Sequence, residues 1–277
     1  MDTNTRLEIY KIAASCRAFE EEVFSRVKNK EIGFPVYLSA GQEFISATLA
    51  YVNKSQRPSI FAQHRAHSTY LSFGGDRDKL ILELLGSAKG CTNGMGGSAS
   101  IHGSDISMYG HDGLMGSQVP IGVGHCFATK RPTIIFMGDA SAEEDYALGA
   151  MGWAATKKLP ILFVVEDNNL SILTEKKVRR SWDMSKVAKG FGMESSDIYD
   201  SPDELCKYVI TEKSGPRLIN VETNRMFWHA GAGKDSDDTF DRLEHEKVKL
   251  ESLGVSVSSI IETAKEEISE RWNMLKR

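Results

Sequence analysis

Asp139 and Asn168 are the residues of this 277-residue chain whose types and spacing best suit joint chemistry. Each follows an apolar run with strand character, Thr133-Ile134-Ile135-Phe136-Met137 and Ile161-Leu162-Phe163-Val164-Val165. The stretch between them, Glu143 to Lys158, is rich in Ala, Leu, Met and charged residues and reads as a helix. Strand, helix and strand of this length make a parallel βαβ unit, whose connection is right-handed. Open parallel sheets bind ligands at the carboxyl ends of their strands. The carboxylate of Gly138-Asp139 and the amide of Asn168 would then converge on one edge. With a backbone carbonyl they form the hard oxygen set that suits Mg²⁺ when a diphosphate also holds it. Asp and Asn also serve as helix N-caps and turn residues, so these two positions alone leave both readings open.

The elements that must position these groups can be followed along the chain. Residues 4–30 predict an amphipathic helix, with Leu7, Ile9, Ile12, Ala13, Cys16, Phe19, Val23 and Val27 near helical spacing and Gly33-Phe34-Pro35 beyond its end. Gly41 to Val52 predicts a second helix, Ser59-Ile60-Phe61-Ala62 a short strand running into Gln63-His64-Arg65, and residues 77–87 a further helix. Gly86 to Gly124 is glycine-rich, with Met, His and Ser interspersed, and suggests an ordered wrap around something. It runs into a helix of small residues from Gln118 to Thr129. Leu218-Ile219-Asn220-Val221 predicts another buried strand, followed by a polar loop from Ala230 to Asp238 and a charged helix from about Val257 to Lys276. The expectation is one α/β domain over residues 1–277, a mostly parallel sheet with helices on both faces.

If the strands are parallel, four strand ends share a rim: His64-Arg65, Gly138-Asp139, Asp167-Asn168 and, beyond residue 223, His229. The planar fork of Arg65 suits phosphate. The start of the helix after Gly138 offers backbone N–H groups and a positive dipole end to an anion. The plain alternatives are that Arg65 is a surface charge and His229 a solvated loop residue. A nicotinamide site is the weaker competitor, because Gly94-Met95-Gly96-Gly97 follows no strand. There is neither a phosphate-binding GxxxxGK[ST] loop nor a GxSxG nucleophile elbow.

A net charge of −4 and a pI near 6.0 give no reason to expect nucleic acid as a partner. Glu20-Glu21-Glu22 and Lys176-Lys177 read as solvated faces. Cys16, Cys91, Cys126 and Cys206 are too widely spaced for a disulfide framework or a zinc site, which points to a reducing cytoplasm. Met1-Asp2-Thr3-Asn4 lacks the basic and apolar regions of a signal peptide, and no apolar stretch is long enough to span a bilayer.

In their order, these motifs resemble the alpha subunit of the thiamine diphosphate-dependent component of 2-oxo acid dehydrogenase complexes, the pyruvate, branched-chain or acetoin type. The resemblance runs from about Gly33 to Gly233. Gly41-Gln42-Glu43 matches the family's GQE, and Arg65-Ala66-His67 its R-A-H after a strand. Gly90-Cys91 through Gly96-Gly97-Ser98 and His102 resembles its GGSMH loop, and Gly116-Ser117-Gln118-Val119-Pro120 its G-A-Q-V-P. Gly138-Asp139 with Asn168 has the spacing of the thiamine motif, GDG followed by N. The resemblance implies that His64 and Arg65 hold the diphosphate, His64 standing where many members have Tyr. It implies backbone contacts to the aminopyrimidine ring from Gly113 and Met115, and to the phosphates from Ala140 and Ser141. Asp139, Asn168 and the carbonyl of Leu170 would ligate Mg²⁺, and His229 would lie over the diphosphate as the candidate catalytic residue.

The family's cofactor lies between two subunits, and its activating glutamate belongs to the beta chain. The resemblance therefore implies an αβ or α₂β₂ assembly, inactive as this polypeptide alone, that decarboxylates a small 2-oxo acid and passes on the acyl unit. A lipoyl acyltransferase is the further partner it suggests. Three departures matter. The last glycine of the thiamine motif is Ala140, which still allows close approach but restricts the backbone. Two bear on the substrate: a substrate-side histidine falls at Tyr37, and a His-Gly-His falls at Phe227-Trp228-His229. Tyr37 and Phe227 are accordingly candidate substrate residues, and an aromatic mouth fits a larger or less charged acyl donor. The family's regulatory serine is Ala230. A split carboligase or transketolase-like subunit, with a sugar or aldehyde acceptor, is the second reading. A non-catalytic regulatory paralogue is the third, and the joint presence of Arg65, Asp139, Asn168 and His229 argues against it.

Overall fold

The structure, a computed structural model, describes residues 1–231 and 240–276, so most of the polar loop expected from Ala230 to Asp238 lies outside the described residues. Eight strands are present among them: β1 (Ser59–Phe61), β2 (Met108–Tyr109), β3 (Thr133–Gly138), β4 (Ile161–Asp167), β5 (Leu170–Ser171), β6 (Thr174–Glu175), β7 (Glu194–Tyr199) and β8 (Arg217–Glu222). Six of them form one sheet in the order β2-β1-β3-β4-β8-β7, every neighbouring pair parallel. β5 and β6 make a small antiparallel hairpin outside it.

An all-parallel sheet needs cover on both faces, and the alternation along its central strands supplies two apolar surfaces. Ile134, Phe136, Leu162 and Val164 pack on one side with Phe19 and Val23 of α1 (Thr3–Lys28), Ile45 and Leu49 of α2 (Glu43–Asn53). Between α2 and the next long helix lie α3 (His67–Ser72) and α4 (Arg77–Leu84). Ile135, Met137, Phe163 and Val165 face the other way, onto α5 (Gln118–Thr129) and α6 (Asp145–Lys157). The helices therefore lie on both faces, as the composition of the strands requires.

The chain continues through α7 (Lys176–Arg179), α8 (Met184–Gly190) and α9 (Pro202–Leu205) to α10 (Arg242–Ser252) and α11 (Ser258–Leu275). The sequence reading leaves out β7, α8 and α10. β7 is an edge strand, Glu-Ser-Ser-Asp-Ile-Tyr, without the apolar alternation of a half-buried one. α10 is mostly charged, and charge docks it: Arg17 of α1 holds Asp241 at 2.8 Å, and Arg6 holds the buried Glu246. Between those ion pairs Leu243 and Leu250 meet Ile9, Tyr10 and Ala13 of α1 in a third cluster. α1 is thus buried on two sides.

Two charged runs expected as solvated faces contain members tied to buried partners. Glu20 is fully buried, accepting from the Ser39 N–H at 3.0 Å and lying 3.1 Å from His67 Nδ1. Lys176 pairs with the buried Asp167 carboxylate. A charge run reports only composition, whereas burial is decided by partners distant in sequence.

The glycine-rich segment wraps around one side chain. The carboxylate of Glu83, buried at the end of α4, accepts the backbone N–H groups of Thr92, Gly94, Gly96 and Gly97 at 2.8–3.0 Å. At Gly90 a Cβ would sit 2.4 Å from Glu83 Oε2, so only glycine permits this approach.

Candidate functional site

The carboxyl ends of β1, β3 and β4, and the segment after β8, open on a cavity of about 340 Å³. Parallel register puts them there: Met137 pairs with Val165 and Gly138 with Glu166 across β3 and β4, so Asp139 and Asn168 leave the sheet at one level. Tyr37, His64, Arg65, Gly113, Met115, Gly138, Asp139, Ala140, Ser141, Asn168, Leu170 and His229 all line this cavity. Phe227 does not. Its ring packs 4.3 Å from that of Phe24 on α1, beside Trp228, whose indole N–H donates to the Val36 carbonyl at 3.0 Å. The structure thus places Phe227 outside the cavity that the other candidate residues line, packed against α1.

Asn168 begins an Asx turn, accepting the Leu170 N–H at 3.1 Å, and its amide donates to Gln42 Oε1 at 3.3 Å. Gln42 belongs to the Gly41-Gln42-Glu43 motif, so that motif orients the amide from behind. Asp139 is almost wholly buried. Burial and the nearby Asp167 carboxylate raise its pKa, against the opposing pull of Arg179. The following segment turns through a 3₁₀ step at Ser141–Glu143 before α6 begins at Asp145, so the helix starts later than the sequence suggests. Gly116 approaches this turn closely: its φ is +85°, and a Cβ would meet the Ser141 carbonyl at 2.8 Å.

Arg65 is buried, and its fork donates to the carbonyls of Leu38 at 2.7 Å and His229 at 3.1 Å. It binds two segments of the cavity wall to each other as well as facing the space between them. His229 lies within 3.4 Å of Arg65 and 3.3 Å of Arg225 through Nδ1. Tyr37 stands edge-on to His64 at 4.9 Å, and its own N–H donates to Ser98 Oγ at 2.8 Å. Ser98 meets His67 Nε2 at 2.9 Å, and His67 leads to Glu20, so a buried chain of polar groups fixes Tyr37 from beneath.

Several lining residues are not among the site residues expected from the sequence: Gln63, His111, Arg225 and Ile172. Arg225 follows β8 and could have been found by the strand-end rule that found Asp139. Nothing local marks His111, which the fold of the glycine-rich segment brings in. Burial lowers the pKa of His111, and burial with the neighbouring Arg65 lowers that of His64 further, so both imidazoles are neutral at pH 7. Each keeps a buried Nδ1 without a hydrogen-bond partner within the described residues. Such atoms call for a partner from whatever fills the cavity.

Beneath the floor, Gln63 donates to the fully desolvated Glu166, whose pKa burial lifts from 4.5 to about 7. The folded state then binds this proton more tightly than the unfolded one. Stability should fall as pH rises from about 4.5 to 7 and level off above, by up to about 3 kcal/mol. Thermal melts from pH 5 to 8 are expected to show that slope in the wild type and a flatter one in Glu166→Gln.

Residues 10–253 match the family of dehydrogenase E1 components. A pyruvate dehydrogenase E1 component subunit alpha from Rickettsia bellii is 31% identical over 230 residues, 77% of this chain and 69% of that protein. The subunit of the same description from Zymomonas mobilis is 26% identical over 284 residues, 94% of this chain and 80% of the relative. Among solved structures, the transketolase of Campylobacter jejuni superposes with a TM-score of 0.60 at 17% identity, covering 99% of this chain. This chain spans about half that transketolase, 49% of its length, and the likeness is one of fold. The chain belongs to the dehydrogenase E1 component family, as an alpha-type subunit.

Proposed function

We propose that this chain is the alpha subunit of an enzyme that decarboxylates a 2-oxo acid on thiamine diphosphate and transfers the acyl unit, working with a beta subunit. The observation that carries this is the convergence of Asp139, Asn168, Leu170, Arg65 and His229 on one cavity at the carboxyl edge of a parallel sheet. The donor set fits the group. One carboxylate, one amide and a carbonyl suit Mg²⁺ that takes further oxygens from a diphosphate. The orphaned Nδ1 atoms of His64 and His111 add polar contacts to an occupant.

Bound thiamine diphosphate would supply the electron sink for decarboxylation, which no side chain of this protein can. Asp139, Asn168 and the Leu170 carbonyl hold the cation. Arg65 and His229 line the site with nitrogen groups, and Tyr37 gives it an aromatic wall. Exposed apolar groups crowd the rim: Leu114 is 59% exposed, Ile172 61% and Leu173 66%. Apolar rims of this kind mark partner surfaces, and they support closure of the site by the beta subunit in an α₂β₂ assembly. The cytoplasm is the proposed compartment, in keeping with four free cysteines, two of them buried.

The test is co-expression with a beta-type chain, then calorimetric titration of thiamine diphosphate with and without Mg²⁺. Tight, metal-dependent binding is expected only in the co-purified complex, followed by CO₂ release from one of a panel of 2-oxo acids. Decarboxylation by the alpha chain alone would refute the shared site. Turnover with an aldehyde or sugar acceptor in place of lipoamide would move the carboligase reading to first place.

A further inference from the structure

The carboxylate expected to hold the cation already holds one. Arg179, the last residue of α7, forms an ion pair with Asp139, and its other terminal nitrogen pairs with Glu143. Arg180 braces the same turn, donating to the Asp139 backbone carbonyl at 3.0 Å and approaching Glu143 at 3.1 Å. Three residues earlier on the same arm, Lys176 caps Asp167, the carboxylate whose charge acts on Asp139. One short arm, residues 170–180, therefore places two cations on the two carboxylates that end β3 and β4.

Asp139 is 2% exposed and Arg179 13% as side chains, so their attraction is little screened. Arg179 takes one oxygen of this carboxylate, Oδ2, and its positive charge beside the group repels a divalent cation approaching the same carboxylate. The pair is also incompletely satisfied, since the Nε atoms of Arg179 and Arg180 are buried with no hydrogen-bond partner. Glu143 offers Arg179 a way to leave without losing every counter-ion. One nitrogen can stay on Glu143 while the other releases Asp139.

We propose that Arg179 competes with the divalent cation for Asp139, so that this guanidinium sets the affinity of the site for metal and cofactor. The proposal rests on the cofactor reading above. A ligand freed only by exchange binds with its intrinsic strength reduced by the fraction of molecules in which it is free. Removing the competitor removes that reduction.

The experiment compares the co-purified alpha–beta complex carrying wild-type chain with Arg179→Gln, titrating Mg²⁺ at saturating thiamine diphosphate by calorimetry. Arg179→Gln is expected to bind Mg²⁺ at least about tenfold more tightly. Arg179→Lys, whose ammonium cannot bridge both carboxylates as the fork does, is expected to fall between the two and serves if the Gln variant does not fold. Unchanged affinity in the variants would overturn the proposal, because Arg179 would then not compete. Weaker binding would overturn it too, making Arg179 a contributor to the anion site instead. If no protein in the series binds metal and cofactor, the cofactor reading fails and takes this one with it. Binding by the wild type with no gain in either variant leaves that reading standing and removes only the competition.

Discussion

Asp139→Ala in the co-purified complex is expected to abolish magnesium-dependent binding of thiamine diphosphate. Loss of a group that merely supports a ligand costs roughly 10–100-fold in metal affinity, and Asp139 is the one carboxylate among the three expected ligands. Its loss should therefore exceed about 100-fold in calorimetric titration. The substitution also leaves Arg179 with one carboxylate in place of two. Breaking a buried ion pair costs about 3–5 kcal/mol, but Arg179 keeps Glu143, so the loss of stability should lie at or below the low end of that range. Asp139→Asn separates the two effects: it keeps the shape of the side chain and removes the charge that both cations need. A melt of each variant without cofactor reports the fold, and the titration reports the site. Unchanged cofactor affinity in a folded Asp139→Ala complex would favour the non-catalytic paralogue.

The second large effect is expected far from the cation, at Glu83. Replacing it with Ala removes the acceptor of four backbone N–H groups at once, from Thr92, Gly94, Gly96 and Gly97. An unmet buried donor costs about 1–3 kcal/mol. Water will reach some of these groups, so a loss of about 4 kcal/mol or more is the expected sum, measurable by urea or thermal unfolding. Gln should rescue little, because its amide nitrogen turns donors toward donors. Burial works to raise the Glu83 pKa, but the hydrogen bonds from Thr92, Gly94 and Gly97 outweigh it and hold it below the usual carboxylate value. A depressed pKa means stabilisation that is present above the unfolded value and lost as pH falls through the folded one. Acid should thus loosen this segment in the wild type, and Glu83→Ala should lose that part of the acid sensitivity. The site would feel it, since Ser98 and Ala99 follow directly, one pinning Tyr37 and the other lining the cavity. Equal stability of wild type and variant would show that the glycine-rich wrap does not depend on this carboxylate.

Much of the scaffold was legible because it rests on local pattern. The apolar runs of β3 and β4 and the helical stretch between them announce a parallel unit. Once strands are parallel, the carboxyl-edge rule places His64, Arg65, Asp139 and Asn168 on one rim before any coordinate is known. The boundaries of α5 and α11 also follow from composition and spacing, Gln118–Thr129 and Ser258–Leu275 against expected spans of 118–129 and 257–276.

What the sequence could not decide is which charges are buried and with whom. Glu20 and Lys176 belong to runs whose composition suggests solvent, yet each meets a buried partner supplied by another part of the chain, as Arg179 does. Phe227 sits two residues from His229, and one lines the cavity while the other packs on α1, because φ at Phe227 is +73° and the ring finds Phe24. α10 carries its own charge pattern, but its place is fixed by Arg6 and Arg17, more than 220 residues away. Hydrophobic periodicity is a property of neighbours in sequence and can be read there. The partner of a charge is a property of neighbours in space, and only the folded chain settles it.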